Sequence, residues 1–369
     1  MTHAEPTTMA DKWLGVIGDE YLSEFLRSGG AAVKVIAGAD DVLADVTESI
    51  RDAATTGGYY YALVDPSKLT ATGKSPALHR IDRFFFEATK DFDWTRWAHE
   101  QARHYLETAG ITVPAGCGIR DIEQIAEANG RDAQDLINQY QREFATPQLR
   151  DVRLSIEFRA AITALGRAQL IPDALSPTTE EVLLEWLRGR AVPGGASALK
   201  KVQIYERINA ANARTLFASF CRWLPHAGHG GLVVVLDFRP YEFKRTPKGK
   251  KLAEENERLR NAILAGKSPD ELATILAQTV PDPDVVYSDA AYMQMLTMLR
   301  RFIDEIDTLD NMLLVVLTTP NFYKDKTLDA TVKRCYFDYD ALQTRIGQEV
   351  HDEHRANLAA SLVHLGGAR

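Results

Sequence analysis

Apolar positions divide the chain into stretches of strand-like and helix-like pattern. Tyr21, Leu22, Phe25 and Leu26 recur at helical spacing ahead of Gly29 and Gly30, which predicts a helix with a glycine stop. AAVKVIAG, ending at Gly38, is a short β-branched apolar run and predicts a buried strand. In the following segment Val42, Leu43, Val46 and Ile50 mark one helix face before Gly57 and Gly58, and YYYALVD predicts a second strand closing at Asp65. Strand, helix and strand in such close succession form a βαβ unit, which implies a parallel sheet and a right-handed crossover.

From Lys74 to Gly228 the pattern is helical, without a convincing strand. Thr178 and Glu181 have the spacing of a capping box ahead of one of these helices. GLVVVLDF then predicts a buried strand from Leu232 to Asp237. Ser268, Pro269 and Glu271 supply a cap, a first-turn proline and a box residue. Tyr292, Leu296, Leu299, Phe302, Ile303 and Ile306 stripe a further helix, and MLLVVLTTP predicts the next strand. The C-terminal stretch is expected to be helical up to Gly366 and Gly367. The expected architecture is α/β: a parallel sheet flanked by helices, with a long α-helical insertion and a helical C-terminal region. Its divisions are 1–73 (first part of the α/β core), 74–228 (helical insertion), 229–335 (second part of the core) and 336–369 (C-terminal helices).

Composition narrows the class. The 369 residues are 45% apolar and 25% charged, with a net charge of −8, as expected of a globular protein with a sizeable core. No apolar run approaches the roughly 18 residues of a membrane span. The polar N-terminus lacks the pattern of a signal peptide. Cys117, Cys221 and Cys335 are far apart and odd in number, so no disulfide framework or CxxC metal pair is expected. A cytoplasmic location without membrane partners follows as the expectation. The acidic balance excludes a wholly basic nucleic-acid surface and leaves room for a local patch.

Three strand ends carry the candidate chemistry. The first runs into a turn and helix, the second ends in Asp237, and the third ends in Thr318 and Thr319. That is the skeleton of a P-loop NTPase of AAA+ type. There a G-x-x-x-x-G-K-[ST] loop cradles phosphate through backbone N–H groups, its Lys neutralises charge, and its hydroxyl binds magnesium. In this chain Gly38 stands at the first glycine, and Asp40 and Asp41 fall within the loop. Leu43 stands at the second glycine, Ala44 at the lysine and Asp45 at the hydroxyl position. A unit charge pair about 4 Å apart at an effective dielectric of ~20 is worth ~4 kcal/mol, so an Asp45 beside a triphosphate would repel it. Magnesium held by the aspartates would soften that repulsion. Asp237 is a Walker B remnant, and Phe238 occupies the place of the Glu that polarises the attacking water. The pattern alone also fits another α/β protein with unrelated strand ends.

Longer stretches carry a resemblance. GDEYLSEFLRSGGAAVKVIAG, LLEWLRGR with ARTLFASFCRWLPHAGHGGLVVVLDF, and the later YMQMLTMLRRFIDEID, LLVVLTTPNFY and YDALQTRI follow one another in an order that resembles the ATP-binding protein family encoded in BREX-type phage-defence islands. The resemblance implies an AAA+ or STAND-like P-loop fold and a place in a multi-gene antiviral system. This chain departs from it at 43, 44, 45 and 238. The combined expectation is a pseudo-ATPase without a cofactor or resident metal, a scaffold or regulator among other protein subunits and able to oligomerise. Two alternatives stay open: an ATPase using ATP and Mg2+, active alone or with a partner's help, and a DNA-contacting component. The latter would use Lys244, Arg245, Lys248, Lys250 and Lys251, which follow the Walker B-like strand.

Other features carry blander expectations. His226 with His229, and His351 with His354, have metal-compatible spacing but no accompanying ligand cluster, so solvated histidines are expected. Arg300, Arg301 and Arg345 read as surface helix charges, or as remnants of arginine-finger positions.

Overall fold

The computed structural model describes residues 8–71, 73–171, 173–242, 257–268, 271, 287–320, 322, 341–342, 344–346, 350–351 and 358–365. The chain enters through helix α1 (Met9–Val16), capped by Thr8 and Asp11, and a wider π-helical segment, Ile17–Phe25. Of the striped residues predicted there, Leu22 and Leu26 are buried, while Phe25 stays 40% exposed. Strand β1 (Ala31–Gly38), helix α2 (Asp40–Thr56) and strand β2 (Tyr60–Val64) follow as the βαβ pattern predicts. Between β2 and β3 (Leu232–Asp237) the described residues form helices only. These are α3 (Ile81–Thr89), α4 (Trp94–Thr108), α5 (Ile122–Ala128), α6 (Ala133–Tyr140), α7 (Thr146–Arg150), α8 (Ile156–Leu170), α9 (Pro177–Leu187), α10 (Gly195–Lys201) and α11 (Ala213–Trp223). Among the described residues a one-turn helix α12 (Arg239–Glu242), the long α13 (Asp289–Asp304) and strands β4 (Met312–Thr318), β5 (Val350–His351) and β6 (Leu362–Leu365) follow.

Among the described residues the strands pair in parallel, in the order β2-β3-β4-β1-β6-β5. Five form the sheet proper, and β5 adds a two-residue edge. Every residue of β3 and β4 is buried, because helices cover both faces and leave no solvated side for polar alternation. The strand period of two sorts the side chains. Val234, Leu236, Leu314 and Val316 meet α3, α4, α8, α9, α11 and α13 on one face, whereas Val233, Val235, Leu313 and Val315 meet α1 and α2 on the other. The first face holds a nest of rings in which Trp94 stacks on Trp223 at 5.7 Å and Trp97 meets Trp223 edge-on at 4.6 Å. The outer ends of α4 and α8, with α5 and α6, close a smaller third core around Ile125, Leu136 and Tyr140.

Two expectations change. The helix predicted to start at Thr178 is capped by Ser176, whose Oγ accepts from the Thr179 N–H, with Pro177 in the first turn. Proline already lacks the orphan N–H of that position, so the cap moves upstream. The C-terminal stretch predicted as a helix up to Gly366 instead lays Leu362–Leu365 beside β1, with Val35 opposite Leu362 and Gly38 opposite Leu365. A four-residue segment such as Leu-Val-His-Leu is too short for periodicity to separate strand from helix, and the exposed edge of β1 decides it. The described residues include no helix long and apolar enough to cross a membrane.

Close approach between strand entries fixes one glycine. Gly231 has φ +140°, and an added Cβ would stand 2.4 Å from the Asn311 carbonyl oxygen; Asn311 in turn donates from Nδ2 to the Leu26 carbonyl at 2.6 Å. Gly228 also has positive φ, but it faces open space. Gly231→Ala is therefore expected to lower the urea midpoint by the equivalent of about 2 kcal/mol or more, and Gly228→Ala by about 1 kcal/mol. Equal losses would show that the contact with Asn311 carries no energetic weight.

Candidate functional site

Parallel register sets the strand ends in one row. Ala37 of β1 lies opposite Thr318 of β4, and Asp237 of β3 opposite Leu317. Gly38, Asp237 and Thr318 thus arrive at the carboxyl edge together, where open α/β sheets place their sites. The sequence-predicted residues then diverge.

Helix α2 starts immediately after β1, with Ala39 as the extended N-cap and the Leu43 N–H already bonded to the Ala39 carbonyl at 2.9 Å. No intervening loop stands between them. Leu43 is fully buried, and a Cβ on Gly38 would stand 3.2 Å from Leu43 Cδ2. The leucine at the second-glycine position therefore packs against the first. Ala44 and Asp45 are exposed in the second turn, and Asp41 is exposed in the first. Asp45 lies five residues into the helix, about 7 Å along its axis from the start.

Asp237 is 8% exposed, and both of its oxygens are taken by Arg239. The guanidinium forks onto it, Nε to Oδ1 and Nη2 to Oδ2, each at 2.8 Å, while the Arg239 backbone N–H reaches Oδ1 at 3.1 Å. The third guanidinium nitrogen, Nη1, donates to Asp40 Oδ1 at 2.6 Å. One side chain from the loop after β3 thus ties the β3 tip to the first turn of α2. The paired Asp237 carboxylate, followed by that of Asp40, raises the pKa of Arg239 further. Such a bidentate pair is strong and geometrically selective.

The two threonines have separate roles. Thr318 is fully buried and donates to the Ile36 carbonyl at 2.9 Å, inside the sheet. Thr319, one residue on, donates from its N–H and its hydroxyl to the two oxygens of Glu242, at 2.8 and 3.0 Å. Burial pushes Glu242 up to about 7, against the lowering effect of these bonds. Phe238 is fully buried, stacked on Tyr241 and in contact with Tyr292 and Phe322, so it anchors the core below the strand tip. Tyr241 also stacks on Tyr287 at 3.9 Å, and His79 meets both rings edge-on. This aromatic wall bounds the site on the β2 side.

Arg239 and Glu242 were legible only as one basic and the one acidic residue of the stretch Arg239 to Lys251. The available signal was the alternation of Asp, Arg and Glu just past a strand end, where the chain turns back on itself. Lys244, Arg245, Lys248, Lys250 and Lys251, together with His354 and Cys335, lie outside the described residues. The His229 ring packs edge-on against Tyr60 and Phe92, while His226 is exposed. Arg300 and Arg345 both reach Asp304, and Arg301 contributes its carbonyl to Arg214. Among the described residues no group of three or more His, Cys, Asp or Glu is placed to hold a metal.

Residues 119–280 match the family model described as BREX system ATP-binding protein BrxC/D. The matched segment, a little under half of the chain, is similar to that ATP-binding family. The α/β architecture, a parallel sheet flanked by helices, is compatible with a P-loop NTPase-like fold. The matched segment runs from the turn before α5, through the helices and β3, past Arg239 and Glu242. No curated protein and no solved structure matches the chain.

Two variants probe the site. Arg239→Ala leaves the nearly buried Asp237 without its cation, and is expected to cost about 3 kcal/mol, read as a fall in the melting temperature. The folded-state pKa of Glu242 stands above its ordinary value of 4.5. Between about 4.5 and 7 the folded chain keeps a proton that the unfolded chain releases, so this group costs stability as pH rises through that window. Glu242→Gln mimics the protonated form. Its stability relative to wild type is expected to rise by up to about 3 kcal/mol from pH 4.5 to above 7; a pH-independent difference would contradict the raised pKa.

Proposed function

We propose that this chain is a pseudo-ATPase of a BREX phage-defence system: a P-loop-like subunit that works as a scaffold or regulator among other protein subunits, without nucleotide turnover. The family supplies the ATP-binding and phage-defence context. The observation that carries the reading is Arg239, whose guanidinium lies between Asp237 and Asp40. A magnesium–nucleotide would need the Asp237 oxygens that Arg239 holds, and a loop of backbone N–H groups where α2 begins directly after β1. Leu43 occupies volume that a second glycine would leave free. The residues present thus fit an internal salt bridge better than Mg-ATP. That bridge would hold one conformation of the strand tips in place of a nucleotide-driven cycle.

Glu242 favours a second reading. It is a half-buried carboxylate beside Thr319 whose proton affinity is raised in part by the nearby Asp237 charge, and it supplies the acidic side chain that Phe238 does not. In that reading the chain binds ATP once Arg239 swings away.

Calorimetric titration of the purified chain with ATP, ADP and a non-hydrolysable analogue, each with magnesium, separates the two. No heat up to millimolar nucleotide is expected. Micromolar binding, or magnesium-dependent turnover abolished by Asp237→Ala, would overturn the pseudo-ATPase reading.

A further inference from the structure

Away from the strand tips, the helices between β2 and β3 enclose a cavity of about 380 Å³. Val182, Trp186, Leu199, Ile204 and Ile208 give it an apolar floor, and Phe86 of α3 closes one side. Its shape depends on the turn Trp186-Leu187-Arg188-Gly189. Gly189 has φ +74°, and a Cβ there would stand 2.4 Å from the Phe86 ring, so the turn lies directly on α3. The Trp186 indole N–H donates to the Glu206 carbonyl at 2.9 Å and pins the 204–208 segment as the opposite wall.

The mouth carries an excess of positive charge in a chain of net charge −8. Asp82 is 3% exposed and is shared by two cations, Arg80 at 3.0 Å and Arg83 at 3.7 Å. Glu185 is likewise shared by Arg188 at 3.0 Å and Arg190 at 3.3 Å. Each carboxylate can neutralise one of its two partners, so a guanidinium charge is left over on either side. Arg207 adds a third, exposed, with no ion pair recorded for it among the described residues, and the exposed carboxylate of Glu206, also in the lining, offsets one of the three. Tyr205, 71% exposed, stands beside it. Arginine and tyrosine around an apolar pocket are the residue types that dominate binding at protein interfaces.

We propose that this cavity is a docking site for an acidic segment of a partner protein that inserts one large apolar side chain between Trp186 and Phe86. The volume lies near the lower end of the roughly 300–1,000 Å³ of small-ligand sites, which suits a single anchoring side chain with its backbone flanks. The surplus guanidinium groups complement acidic residues on either side of that anchor. A nucleic acid is the poorer fit, because a single compact pocket of this size gives a phosphate backbone no extended track to follow. The inference is independent of the strand-tip site, since none of the cavity residues touches it.

The test uses the full chain and a fluorescein-labelled peptide, Glu-Asp-Glu-Phe-Glu-Asp-Glu, followed by anisotropy at low salt. Controls are the same peptide with Ser in place of Phe, the peptide with Lys in place of every acid, and a single-stranded oligonucleotide as competitor. Ala196→Trp fills the mouth from an exposed position, and Arg207→Glu reverses an exposed charge. Saturable binding of the Phe peptide is expected, weakened about tenfold by the Ser substitution, by Ala196→Trp and by Arg207→Glu, and lost with the Lys peptide. No saturation up to millimolar peptide, equal binding of the Ser peptide, or indifference to both variants would overturn the proposal. So would an oligonucleotide that displaces the peptide and depends on the same two residues, since the site would then be one for nucleic acid.

Discussion

The parallel register of the sheet is the constraint on which the rest of this molecule hangs. Residues of β1, β3 and β4 that are remote in the chain arrive side by side because every ladder hydrogen bond must be satisfied between strands buried on both faces. With Ala37 opposite Thr318 and Asp237 opposite Leu317, the chain must turn out of the sheet at three neighbouring points. What stands at those turns is then a matter of local chemistry. Here it is a helix that begins directly after β1, a forked arginine and a half-buried glutamate.

Arg239 shows how a strand edge can be held without a ligand. In a nucleotide-binding loop, cation and backbone donors wait for phosphate. Here the anions are part of the chain too, carboxylates on two different elements. The pair is shielded on the Asp237 side and open on the Asp40 side, whose side chain is 82% exposed. Solvent therefore screens one arm of the bridge more than the other. The forked arm to Asp237 carries most of the positional constraint. Thr319 and Glu242 add a second tie from α12 to the end of β4, so two short links from one turn fasten the β3 tip to the first turn of α2 and to its neighbour β4.

The helical stretch between β2 and β3 is built into the same body. Its inner helices share a core with the sheet, while its outer ends make a core of their own and leave the Trp186 cavity at the surface. The family match spans much of this stretch together with β3 and α12. Strand tips and cavity thus offer two separate surfaces, one closed by internal ion pairs and one open with surplus positive charge.

The sequence by itself determined the strands and their burial. β-branched runs such as VKVIAG, LVVVLD and LLVVLT have no polar alternation, and only a sheet covered on both faces accommodates them. It also determined that the loop glycine, lysine and hydroxyl are absent after Gly38. Tertiary structure decided what their absence means. Asp45, read from spacing as a neighbour of phosphate, is carried away because α2 begins directly after β1. Phe238, read as a missing catalytic acid, is a core ring. β6 was invisible, since so short a segment, Leu-Val-His-Leu, acquires a strand identity only from the free edge of β1 beside it. Arg239 and Glu242 were hidden for the same physical reason: a charged residue is legible in sequence only through neighbours at fixed spacing, and their partners Asp40 and Thr319 are brought to them by the register of strands far apart in the chain.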